Sequence, residues 1–165
     1  MAKDQSFDVV SQVDMQEVDN AVHQASKEIA QRYDLKDSGS SVALDKADGS
    51  VTVGAPSDFV ARQVVDILAG KLVRRHIDLK ALAWGDPESA SGGTVRVTAR
   101  IINGIEAEIA RKINKDIRDA KFKVKVQIEG EKLRVFSPKR DELQAVIGFL
   151  KEKDYGIPLQ YANYR

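Results

Sequence analysis

Two hydrophobic patterns, alternation with period two and recurrence at helical spacing, follow each other along this 165-residue chain in an order that runs through twice. Residues 7–13 read as a strand. Asp14 follows as a helix N-cap with Glu17 three residues on, an Asp variant of the capping box. Met15, Val18, Val22, Ala25 and Ile29 then share one helical stripe. Residues 41–45 and 50–53 alternate and flank a two-residue turn at Asp48-Gly49. Ser57 precedes a second helix, whose buried stripe is expected to be Phe59, Val60, Val64, Ile67, Leu68 and Leu72. Residues 79–84 close the first pass as a short strand.

Residues 86–93, polar and glycine-ended, read as the linker. Residues 94–101 open the second pass as an alternating strand. Asn103 is expected to cap the third helix with Glu106 three residues on, and Ile105, Ile109, Ile113 and Ile117 form its core face. Phe122, Val124, Val126 and Ile128 alternate with lysines, a turn follows at Glu129-Gly130, and Leu133 and Val135 alternate with Arg134 and Phe136. Ser137 precedes a fourth helix burying Leu143, Val146, Ile147 and Leu150, and residues 158–165 read as a terminal strand. Matched points lie about 80 residues apart, the size of one βαββαβ unit. The expected class is therefore α+β, with two ferredoxin-like (RNP-like) domains, each a four-stranded antiparallel sheet backed by two helices. Pattern alone puts the two halves in tandem.

Composition narrows the function. The chain has no cysteine, which excludes disulfides, thiolate metal sites and cysteine nucleophiles. With no N-terminal apolar segment it reads as cytoplasmic. Its apolar stretches fall far short of the roughly 20 residues a membrane span needs. The 26 basic and 25 acidic residues leave a net charge of +1, so any anion site must come from local gathering of cations. Gly70-Lys71 resembles the end of a phosphate loop, but Val65 replaces its first glycine and the segment is helical. His23 and His76 are too far apart in sequence to suggest a metal site. No nucleophile–base arrangement emerges from spacing, so neither an enzyme nor a metal is expected.

Alternation assigns faces to what remains. In residues 94–101 the polar side carries Thr94, Arg96, Thr98 and Arg100; in residues 121–128 it carries Lys121, Lys123, Lys125 and Gln127, with Arg134 beside them. A sheet backed by helices leaves one face free, and like charges gathered there suit phosphates. Edge protection is an alternative for the lysines. Coverage of the face by the other domain is an alternative for the arginines. A second cluster, Lys71, Arg74, Arg75, His76 and Lys80, stands at a helix C-terminus, where the helix dipole also favours cations. A third, Arg111, Lys112, Lys115 and Arg118, is interleaved with acids and reads as a solvated helix face. Of the aromatic side chains, Phe136 falls where a base could stack, with Tyr161 or Tyr164 as the further candidates.

Four ordered segments carry a family resemblance: SFDVVSQVD from Ser6, GKLVRRHID from Gly70, KVKVQIEGEKLRVFSPKRDELQAV from Lys123, and the closing PLQYANYR. On these the chain resembles the YajQ family of bacterial nucleotide-binding proteins along essentially its whole length. It departs from the family pattern at His76 and Asp37, where glycine is expected, and at Tyr161, where phenylalanine is expected. The resemblance implies that the two domains exchange their N-terminal strands: residues 14–103, including the strand at 94–101, form one, and residues 1–13 with 104–165 the other. It also implies binding of a nucleotide (GTP, ATP or cyclic di-GMP) or of RNA, tRNA included, with a transcription factor as a further partner in some members. A monomer is expected, and no cofactor. The residues expected to bind, taken from face assignment, are Arg96, Thr98, Arg100, Lys123, Lys125, Arg134, Lys71, Arg74 and Arg75. A cyclic di-GMP effector and a protein-interaction adaptor without nucleotide are the alternatives.

Overall fold

The computed structural model describes residues 3–165. The described residues form a mixed α+β structure with two antiparallel sheets and four α-helices. In chain order the elements are β1 (Gln5–Val10), α1 (Met15–Gln31), β2 (Ser41–Asp45), β3 (Ser50–Ala55), α2 (Asp58–Arg74), β4 (Leu82–Trp84), β5 (Glu88–Ser89), β6 (Val95–Ile101), α3 (Ala107–Asp119), β7 (Lys125–Glu129), β8 (Lys132–Ser137), α4 (Arg140–Lys151) and β9 (Gln160–Ala162). The chain divides into two compact units. One is Val13–Ile102, and the other joins the segment through Gln12 to Asn103–Arg165.

In the unit Val13–Ile102 the strands run β2-β3-β6-β4, with β5 also pairing to β6. Every pairing is antiparallel. Val51, Val53, Val97, Ala99 and Ile101 face the helices and join Val18, Ala25, Val64 and Leu68 in one buried core. Alternation places these residues on one face because successive strand side chains point to opposite sides. Asp14 caps α1 as expected, accepting from the amides of Gln16 and Glu17. Glu17 does not complete the capping box; its carboxylate reaches Arg75 instead. Ser57 caps α2 by accepting from the Val60 amide.

Phe59 corrects the expected α2 stripe: it is 70% exposed. At 3.6 residues per turn it lies about 180° round the helix from Leu68, so the helix cannot bury both against one sheet. Residues 79–84 are a strand only from Leu82. Leu79–Ala81 form a 3₁₀ turn capped by Asp78. The expected linker is not open chain, because Glu88 and Ser89 pair with Arg96 and Val95. The β2–β3 connection is a four-residue loop, 46–49, closed by the Gly49 amide on Asp45 O and the Asp48 amide on the Asp45 side chain.

In the other unit the order is β7-β8-β1-β9, again antiparallel throughout. Phe7 pairs opposite Val135 and Val9 opposite Leu133, and all four are buried. Gly130 and Glu131 form the two-residue turn between β7 and β8, one position later than expected, with Gly130 at φ 60°. The third helix starts at Ala107 with no side-chain cap, not at Asn103. Gly104 stands at φ 107° and its amide bonds Ser11 O, a backbone course no helix start can follow. Strand β7 starts only at Lys125. Lys121 takes φ 61° at the end of α3, and Phe122 turns its ring onto Phe149, with centroids 5.3 Å apart. The terminal strand shortens to β9, although the Arg165 amide still bonds Ser6 O.

Candidate functional site

The sheet face opposite α1 and α2 carries Arg96, Thr98 and Arg100, all exposed, on β6. They sit directly opposite Gly54, Thr52 and Ser50 of β3, and Ser41, Ala43 and Asp45 follow on β2. Ala83 of β4 lies opposite Arg100 on the other side. Thr52 and Thr98 bring their hydroxyls to 3.5 Å. The result is a shelf of short side chains with a guanidinium toward each end. Arg96 has Glu88 at 3.7 Å, but both are more than half exposed, so that pair is weak. Two fork-shaped donors over a flat polar surface can receive phosphate oxygens bidentately.

The second sheet's face opposite α3 and α4 is arranged differently. Lys125 lies opposite Phe136, and Gln127 opposite Arg134. Lys123 falls just before the strand, its amide bonded to Glu142. Asp8 of β1 stands beside Arg134 on this face, and its side chain is only 1% exposed. Arg134 Nε donates to it at 2.9 Å, Lys132 Nζ at 3.2 Å and Asn163 Nδ2 at 2.7 Å. Burial alone would raise the Asp8 pKa; the hydrogen bonds from Arg134, Asn163 and Lys132 outweigh it and hold the carboxyl at about 2. Glu129 lies 3.6 Å from the same guanidinium. Arg134 therefore points where alternation puts it, but its charge is already opposed by two carboxylates.

The cluster at the end of α2 lines a groove of about 830 Å³ against α1. Lys71 bonds Glu28 at 2.9 Å and holds that carboxyl below its ordinary range. Arg75 bonds Glu17 at 3.0 Å and reaches Gln24 at 3.4 Å. Arg74 is exposed and makes no ion pair among the described residues. The groove mixes both signs of charge. The helix ends in a Schellman motif, with the Ile77 amide on Leu72 O and the His76 amide on Val73 O. His76 fills the position at φ 61°, which usually belongs to glycine.

A further cleft, of about 340 Å³, lies between the start of α4 and the chain's last residues. It is lined by Arg140, Leu143, Gln144, Tyr164, Arg165 and the Gln5–Ser6 backbone region. Sequence reading raised Tyr164 as a stacking candidate and missed both arginines, since neither lies on an alternating strand. Among the described residues no group of three or more His, Asp and Glu is placed to hold a metal ion, and no helix is long and apolar enough to cross a membrane.

The family model described as "Nucleotide-binding protein YajQ-like" matches residues 5–165. A nucleotide-binding protein of Desulfitobacterium hafniense (strain DSM 10664 / DCB-2) is 49% identical over 165 residues, covering 100% of both chains. One of Alkaliphilus oremlandii (strain OhILAs) is 48% identical with the same coverage. One of Chloroherpeton thalassium (strain ATCC 35110 / GB-78) is 44% identical over 160 residues, 97% of each chain.

Proposed function

The chain belongs to the YajQ-like family of nucleotide-binding proteins, and on that premise we propose that it binds a nucleotide or RNA through phosphate contacts and does not transform it. The observation that carries this reading is the exposed row Arg96, Thr98 and Arg100 on β6, standing over short side chains. Lys123 and Lys125 extend the same role to the second sheet. Arg134 belongs to it only if a phosphate displaces Asp8 or Glu129. Lys71, Arg74 and Arg75 are secondary candidates, because two of the three already bond glutamates.

We read the architecture as two ferredoxin-like domains, residues 14–103 and residues 1–13 with 104–165, that have exchanged their N-terminal strands. Support comes from β1 pairing with β8 and β9 while β6 runs between β3 and β4. An internal duplication accounts for the repeated order. The absence of cysteine favours a cytoplasmic protein, and we take it as a monomer.

The test is a titration of the full chain with GTP, ATP, cyclic di-GMP, tRNA and a short single-stranded RNA at two salt concentrations. Phosphate-dominated RNA binding weakens steeply as salt rises, whereas a dinucleotide in a pocket responds less. Binding of cyclic di-GMP alone would favour an effector acting on a transcription factor. Binding of none of the five would leave a protein-interaction adaptor.

A further inference from the structure

We propose that the cleft between α4 and the C-terminal residues is a second binding site, shaped for one free nucleoside phosphate, with Tyr164 under the base and Arg140 and Arg165 on the phosphate. The inference rests on the nucleotide-binding reading above and adds a site that the sheet faces do not include.

Three observations carry it. First, Tyr164 is 59% exposed yet firmly seated. Its ring lies against Phe7, with centroids 6.1 Å apart and planes 31° from parallel, and Phe7 itself is wholly buried. The next residue is pinned by two backbone bonds, Arg165 N to Ser6 O at 3.0 Å and Ser6 N to Arg165 O at 3.3 Å. The ring is placed beside Phe7, and a planar base can stack on its exposed surface with less ordering than a mobile side chain would need.

Second, the two guanidiniums are available. Arg140 and Arg165 are exposed and make no ion pair among the described residues. That contrasts with Arg134, Arg75 and Lys71, each engaged by a carboxylate. Arg140, Leu143 and Gln144 stand at i, i+3 and i+4, so one face of α4 lines the cleft. Neither acid of the same turn, Asp141 or Glu142, lines the cleft, and Glu142 accepts from the Lys123 amide. Leu143 is buried and supplies an apolar wall, while Gln144 adds an amide suited to a base edge or ribose.

Third, the size fits a single nucleotide. At about 340 Å³ the cleft is near the lower limit of small-molecule sites, roughly 300–1,000 Å³, which suits a mononucleotide better than a cyclic dinucleotide.

The test is amide NMR on the full chain with GMP, AMP, inorganic phosphate and a short single-stranded RNA as separate probes, followed by affinity measurements on variants. GMP or AMP is expected to shift the amides of Arg140, Gln144, Tyr164 and Arg165, and inorganic phosphate to shift Arg140 and Arg165 more weakly. Arg140→Ala and Arg165→Ala should each weaken mononucleotide binding by about tenfold or more, the scale of a charged hydrogen bond. Tyr164→Leu should also weaken it while still covering Phe7, and Tyr164→Phe should leave it unchanged. Shifts confined to Val95–Ile101 would overturn the cleft and leave the proposed function standing. Shifts at the cleft with single-stranded RNA but not with a mononucleotide would overturn the free-nucleotide assignment. No response to any mononucleotide or RNA, at the cleft or elsewhere, would overturn both readings.

Discussion

Arg134 Nε donates to Asp8 Oδ1 at 2.9 Å, a side-chain bond across 126 residues of chain that reinforces the pairing of β8 with β1. Asp8 is buried, so its ionised form persists only because Arg134, Lys132 and Asn163 all donate to it. Asp8→Asn should destabilise the unit by about 2–3 kcal/mol, somewhat below the roughly 3–5 kcal/mol of a fully buried pair, because Arg134 retains some solvent. Urea unfolding measures this. The same substitution releases Arg134 and Lys132, so binding of an anionic ligand to that sheet face should strengthen if the face is a phosphate site.

Asp8 also sets a pH dependence. Its folded pKa of about 2 lies below the ordinary value of 3.8, so the ionised form is favoured by folding. The contribution, about 2 kcal/mol, is fully present above pH 3.8 and is lost as pH falls through 2. Acid titration of stability should therefore show a loss in the wild type between those values that is absent in Asp8→Asn. An equal acid loss in both proteins would assign the effect to other carboxylates.

His76 occupies the left-handed position of the Schellman motif, at φ 61°, with Ile77 bonded back to Leu72. A side chain there is strained by roughly 1–2 kcal/mol, partly offset because glycine loses more entropy on folding. His76→Gly should raise stability by about 0.5–1 kcal/mol, visible as a rise of a few degrees in Tm. A fall in Tm would mean that the imidazole makes a stabilising contribution at this helix end.

These features differ in how far the sequence exposed them. The faces of β6 were legible because Arg96, Thr98 and Arg100 alternate strictly with Val97, Ala99 and Ile101, and a period of two admits one face assignment. The same logic overran at Lys121–Lys123. Phe122 continues the alternation, yet its ring packs on Phe149 and takes no part in sheet pairing, and local pattern cannot tell these apart. Phe59 lies outside the buried stripe because apolar character alone does not set a residue's angle on the helix. The Asp8 network was illegible, since its partners lie 124, 126 and 155 residues away. The only local signal was an aspartate set between apolar Phe7 and Val9. Of the Arg140–Arg165 cleft only Tyr164 was legible, as an aromatic near the chain end; the two arginines were not, because the cleft joins a helix start to a distant segment.

The pairing of β6 between β3 and β4 makes a test of chain connectivity. A fragment ending at residue 92 keeps β2, β3 and β4 but lacks the strand that joins them, with buried Val97, Ala99 and Ile101. Each large buried aliphatic contributes about 1.5–3 kcal/mol, against a total domain stability of about 5–15 kcal/mol. Residues 1–92 should show no cooperative unfolding transition by circular dichroism, whereas residues 13–102 should show one. A sharp transition in the shorter fragment would count against the exchanged arrangement.

Arg96 and Arg100 share one face four residues apart, about 13 Å by strand rise, far enough to engage separate phosphates. Both are exposed, and the residues between and beside them that build the core point the other way. The double variant Arg96→Ala with Arg100→Ala should therefore keep its stability within about 0.5 kcal/mol. Its binding of RNA or nucleotide should weaken by at least about 1.5–3 kcal/mol, the scale of charged hydrogen bonds. For RNA, the slope of log K against log salt should flatten by about one unit for each phosphate contact removed. Isothermal titration at two salt concentrations measures both quantities. Unchanged affinity and slope would remove β6 from the binding surface, and a large drop in Tm would instead give these arginines a structural role in holding the sheet.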